Sequence, residues 1–76
     1  MLKLSQMRPS QSGRIVGVAS GGAMSSRLCA LGLMPGVRVR VVGVAPFGDP
    51  MMLQMESSRV SLRREEAEML TVEPAS

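Results

Sequence analysis

Few side chains in this sequence are of the types that do chemistry, and their spacing argues against most of it. Histidine is absent and Cys29 is the only cysteine. Neither a thiolate or imidazole zinc cage nor a Cys/His catalytic pair can therefore be assembled within one chain. Ser25 and Ser26 are the best-placed hydroxyls, but no histidine or lysine stands near them in sequence to activate either one. Both read instead as residues near the start of a helix. Glu65, Glu66 and Glu68 form a carboxylate cluster, yet positions so close on a helical turn point in different directions and do not converge on a hard cation. They are expected as a solvated acidic face. Met51, Met52 and Met55 raise the thought of a soft-metal site, but strand alternation sets Met52 opposite the other two, which read as core packing. Neither G-x-x-x-x-G-K-S/T nor G-x-G-x-x-G occurs, which removes the usual phosphate loops. Ser20-Gly21-Gly22 before a helix can hold an anion on free amides or can simply cap that helix. The expectation is a non-enzymatic protein with no metal site and no cofactor.

The elements that would position these residues follow from punctuation and period. Arg14 to Ala19 is a short β-branched run whose internal Gly17 signals a bulge. From Ala23 to Leu31 the period changes, because Met24, Leu28 and Leu31 recur at helical spacing. Gly32 follows where a left-handed residue is wanted, and Leu33 can fold back onto Leu28 as the apolar contact of that cap. Met34-Pro35-Gly36-Val37 matches a type II turn. In the strand that starts at Val37, Val37, Val39 and Val41 alternate with Arg38 and Arg40, and Gly43 marks a bend before Val44. Ala45-Pro46-Phe47-Gly48-Asp49-Pro50 is a proline-bounded loop. Strands resume over Met51 to Glu56 and Arg59 to Arg63 as a hairpin turned by Ser57-Ser58. Arg64 to Met69 makes one helical turn, and Leu70 to Glu73 a last short strand. About five short antiparallel strands, one helix and one helical turn in a single continuous domain, residues 1–76, predict a mainly β fold. A small, strongly bent barrel of the SH3-like kind fits, because an open sheet of this size leaves edges and one face exposed.

Composition narrows the function. Of the 76 residues 45% are hydrophobic and Phe47 is the only aromatic, so the core must be aliphatic and small. No window approaches a membrane span, and Met1 to Ser5 has no apolar run of signal-peptide length. With one unpaired cysteine, the expected location is the cytoplasm. The net charge is +3, but it is unevenly placed. Lys3, Arg8, Arg14, Arg27, Arg38 and Arg40 precede any acid, whereas from Asp49 onward acids outnumber bases. Folding can hold these sets on separate faces, as a dipole that orients the protein against a charged partner, or leave them as an ordinary solvated surface. Single-stranded nucleic acid and proline-rich peptides both call for aromatic platforms that this chain lacks, so neither is expected as a partner. An apolar patch drawn from Leu33, Met34, Val42, Val44 and Phe47 and rimmed by Arg38 and Arg40 is what a protein-docking module presents. Leu33 has a second reading as the helix staple alone, and Phe47 as a lid over the barrel end.

Arg27-Leu28-Cys29-Ala30-Leu31-Gly32-Leu33-Met34-Pro35-Gly36, then Ala45-Pro46-Phe47-Gly48-Asp49-Pro50, then Leu62-Arg63-Arg64-Glu65-Glu66-Ala67 resemble the ferrous iron transport protein A (FeoA) family in order and spacing. The likeness covers nearly the whole chain, with Leu28, Leu31, Gly32, Pro35, Gly36, Pro46, Gly48, Asp49 and Pro50 as its structural motif. Ser57 and Ser58 stand where members of the family usually carry glycine and often an aromatic. The resemblance implies a cytosolic SH3-like barrel that does not itself span the membrane. It further implies action on the membrane ferrous-iron permease FeoB, through that protein's G-protein region or membrane core, regulating transport rather than conducting iron. Two other readings of the residues stay open: a divalent-metal-binding or metal-sensing module, and a basic nucleic-acid-binding barrel.

Overall fold

Among the described residues there are six strands, β1 (Leu2–Lys3), β2 (Ser12–Val18), β3 (Arg38–Val44), β4 (Met51–Gln54), β5 (Arg59–Leu62) and β6 (Leu70–Pro74), the longer of them built on alternating apolar and polar residues. Two α-helices interrupt them, α1 (Gly22–Ala30) and α2 (Arg64–Ala67). The structure is a computed structural model and describes residues 1–19 and 21–75. Ser20, the first residue of the candidate anion segment, lies outside the described residues. The strands form one antiparallel sheet in the order β1-β6-β2-β3-β4-β5. The expectation of about five strands misses β1, whose two residues pair with Val72 and Thr71. So short a strand has no period to read; β6 supplies its order. A 3-10 turn at Leu4–Gln6 follows and helps bury Leu4 and Met7.

Two bulges bend this sheet. The β2 register against β6 slips between Ile15 and Gly17, and the β3 register against β4 slips between Val41 and Gly43. Each slip adds one residue, Val16 or Val42, and both side chains are 38% exposed. A bulge increases local twist and lets a short sheet curl over its own side chains. The glycines flagged in the sequence as bend sites are the second partners of these slips. Inside the curl sit Ile15, Val39, Val41, Leu53, Leu62, Leu70 and Val72, joined by Leu4, Leu28 and Leu33. The core is aliphatic, and Phe47 stays out of it.

Helix α1 is held by little. Leu28 is its one buried residue, while Met24 remains 37% exposed. Its end, by contrast, is closely specified: Gly32 adopts φ 90°, its N–H donates to the Cys29 carbonyl at 2.9 Å, and the Leu33 N–H donates to the Leu28 carbonyl at 3.0 Å. These two bonds are the Schellman pair, and Leu28 and Leu33 make its apolar contact. A Cβ at a left-handed position costs about 1–2 kcal/mol. Gly32→Ala is therefore expected to lower the urea midpoint by that much stability without changing the slope of the transition. Met34 to Val37 then turns the chain, with the Val37 N–H on the Met34 carbonyl at 3.1 Å.

The hairpin at Ser57-Ser58 closes without glycine. The Met55 N–H donates to the Ser58 carbonyl at 2.8 Å. The Gln54 side-chain amide donates to the carbonyls of Met55 and Ser58, and its oxygen accepts from the Arg59 guanidinium. Neither serine has positive φ, so side-chain hydrogen bonds hold a turn that needs no left-handed residue.

Candidate protein-docking surface

The cap that ends α1 decides the fate of two neighbours. Leu33 is fully buried at 0% exposure, whereas Met34 is 43% exposed. Leu33 is thus removed from the docking surface: as the residue two past the C-cap Leu31 it folds back over Leu28 and becomes core. Met34, one step further, points into solvent before Pro35 and Gly36 turn the chain into β3.

Strand β3 carries Arg38 and Arg40 on its outer face while Val39 and Val41 enter the core. Pairing with β2 sets Arg14 directly opposite Arg38 and Ser12 opposite Arg40. Alternation alone sends Arg14 outward, but its partner is fixed only by the strand register, which is why the sequence does not single it out. Like charges directly across a strand pair repel and destabilise it. Among the described residues, the ion pairs are Arg27 with Glu66 and Arg63 with Asp49, so Arg14, Arg38 and Arg40 belong to neither. The three guanidinium groups line an open groove of about 900 Å³, which also takes in Glu73, Glu56 and the backbone of Gly36.

Phe47 is 92% exposed at the tip of the β3–β4 loop, so it does not cover the barrel end. The loop beneath it is fixed. The Gly48 N–H donates to the Ala45 carbonyl at 2.7 Å, the Ala45 N–H donates to the Pro50 carbonyl at 3.0 Å, and the Asp49-Pro50 bond is cis. The Asp49 carboxylate accepts from the Arg64 backbone N–H at 3.1 Å, which ties the loop to the start of α2. Met34 precedes β3 and Phe47 follows it, so the two exposed apolar side chains sit at opposite ends of that strand. Seven residues at about 3.3 Å each separate them by roughly 20 Å of strand. Arg38 and Arg40 line the groove together, and Met34 and Phe47 do not form one patch.

The acidic turn differs from its expected solvated form. Glu65 and Glu68 are exposed, but Glu66 is only 3% exposed. One Glu66 oxygen accepts from the Arg63 backbone N–H at 2.9 Å and the other from the Arg27 guanidinium at 2.5 Å. A carboxylate at this depth needs such partners. Glu66 thus caps α2 and fastens α1 to it at once. The hint in the sequence is its position as third residue of a short helix; the arginine 39 positions away carries none. Among the described residues no group of three or more histidines, cysteines, aspartates and glutamates gathers where it can hold a metal ion. No helix among them is long and apolar enough to cross a membrane.

Known proteins share both the sequence pattern and this architecture. The FeoA domain matches residues 2–74. A fusion of Fe(2+) transport protein A with the Fe(2+) transporter FeoB from Porphyromonas gingivalis is 33% identical over 72 residues, covering 95% of this chain and 8% of the fusion protein. The chain therefore spans only a small part of that relative's length. FeoA from Chlorobium tepidum superposes with a TM-score of 0.84 at 35% identity, over 93% of this chain and 68% of that one. Stenotrophomonas maltophilia FeoA, a prokaryotic SH3 domain protein crystallised with zinc, gives a TM-score of 0.83 at 30% identity, over 96% of this chain and 91% of that one. The domain match over nearly the whole chain and these superpositions show that the chain belongs to the FeoA family, whose members act in ferrous iron transport, and has its SH3-like fold.

Proposed function

We propose that this protein acts in the cytoplasm by docking on the ferrous-iron permease FeoB, as a non-enzymatic regulator of iron uptake. The observation that carries this reading is the Porphyromonas gingivalis relative, in which an FeoA region and FeoB are parts of one polypeptide. Fusion holds two modules at high effective concentration, and it favours pairs that work in contact. The exposed surface supports the same reading. Met34 and Phe47 are large apolar side chains left in solvent, and Arg38 and Arg40 on the outer face of the strand between them supply polar groups of the kind that rim an interface. Whether the permease's G-protein region or its membrane core is the receiving part is decided by testing each separately.

The experiment is a titration of the protein against detergent-solubilised FeoB and against its isolated cytosolic region. Met34→Asp and Phe47→Ala are both expected to leave the thermal midpoint within a few degrees of wild type, because neither side chain is in the core. Met34→Asp is expected to weaken binding at least tenfold, since a charge buried against an apolar partner is left unpaired. Unchanged affinity in both variants sinks the assigned contact surface, and no binding of wild type sinks the docking itself. A metal-binding reading rests on the zinc in the Stenotrophomonas maltophilia crystal. Micromolar affinity of this chain for ferrous ion, measured anaerobically without FeoB, would place that reading first.

A further inference from the structure

We infer that the groove over β2 and β3 is a carboxylate-receiving site, in which Arg14, Arg38 and Arg40 grip an extended acidic segment of a protein partner. The inference deepens the docking function and rests on it for the identity of that partner, but its chemistry stands on the groove alone. Arg14 and Arg38 are cross-strand partners, and Arg40 follows two residues along the same face. Three cations are thus held together by the sheet register, outside both ion pairs of the described residues. Such an arrangement weakens the strand pair that carries it. It gains a reason when an anion arrives, because guanidinium groups bind carboxylates through paired, charge-assisted hydrogen bonds.

The flanks of the groove choose among anionic partners. Across the sheet order, Glu73 on β6 lies beside Arg14, and Glu56 lies just past β4 on the other side of β3. The strands bearing the arginines are therefore bracketed by carboxylates. From β6 to β4 is three strand spacings, about 14 Å. One extended chain fits between the brackets and sets its own acids against the arginines. A flat anionic membrane approaching the same face meets the two glutamates as well. A phosphate-rich nucleic acid meets them too, so a narrow acidic peptide is the occupant that the charge pattern favours.

The probe is a rhodamine-labelled peptide alternating glutamate and valine, read by fluorescence anisotropy, with its glutamine-for-glutamate counterpart as control. Wild type is expected to bind the acidic peptide and not the control, with affinity falling as salt rises. Arg14→Gln and Arg38→Gln are each expected to weaken it about fivefold, and the triple glutamine variant to abolish it. Arg14→Gln is also expected to leave the thermal midpoint nearly unchanged, since it removes the cross-strand repulsion from Arg38 and the cross-strand attraction of Glu73 together; this separates lost recognition from lost folding. Retained peptide binding in the triple variant overturns the inference. So does tighter binding to vesicles of equal phosphatidylcholine and phosphatidylserine, or to a poly-dT oligonucleotide, than to the peptide. If wild type binds the peptide but not FeoB, the groove stands and the docking function fails. If the triple variant binds FeoB as wild type does, the docking function stands and the groove's role in it fails.

Discussion

Leu33→Ala is expected to lower the thermal midpoint by about 15 °C, while the same substitution at Met34 shifts it by no more than a few degrees. Leu33 is 0% exposed and closes the cap of α1 against Leu28, whereas its neighbour is 43% exposed. Truncating a fully buried leucine costs about 2–5 kcal/mol, the spread reflecting how far the surroundings collapse into the cavity. In a domain of this size each kcal/mol moves the midpoint by roughly 4–8 °C. Paired thermal scans of the two variants check the contrast. A Leu33→Ala protein as stable as Met34→Ala would return Leu33 to the surface. The contrast also bears on function. Under the docking function proposed above, the folded fraction of Leu33→Ala is expected to bind FeoB as wild type does.

The second large effect concerns Glu66. Its carboxylate accepts from the Arg63 backbone N–H and from the Arg27 guanidinium while only 3% of it reaches solvent. Glu66→Ala loses a helix cap, typically about 1 kcal/mol. It also loses a hydrogen bond to a charged group, about 1.5–3 kcal/mol. A total loss of about 2–4 kcal/mol is expected in urea unfolding. Arg27→Ala removes the same hydrogen bond and leaves a Glu66 carboxylate oxygen without its partner at 3% exposure, so it is expected to cost about 1–3 kcal/mol. Glu66→Gln keeps an acceptor for the Arg63 N–H and is expected to cost less than Glu66→Ala. Equal stability of Glu66→Ala and wild type would show that the acidic turn is a solvated face after all. Because α1 is otherwise held by Leu28, hydrogen exchange in Ala23 to Ala30 is expected to quicken in Glu66→Ala before the sheet is affected.

Local physics decided much that the sequence makes legible. The positive-φ glycine after α1, the turn before β3, the alternation of Val39 and Val41 with Arg38 and Arg40, and the aliphatic core all depend on residues within a few positions of one another. The bulges at Gly17 and Gly43 are legible for the same reason, since a glycine inside a β-branched run has few other uses. What resisted was every feature that joins distant segments. β1 exists only because β6 pairs with it. Glu66 is buried because Arg27 reaches it from another helix, and Arg14 faces Arg38 because β2 and β3 pair in one particular register. Leu33 carried two local readings, staple and docking residue, and packing chose the first. A sequence states which way each side chain can point along its own element. Which charges meet, and which apolar groups are covered, depends on contacts made after those elements assemble, and in this protein those contacts separate its core from its exposed face.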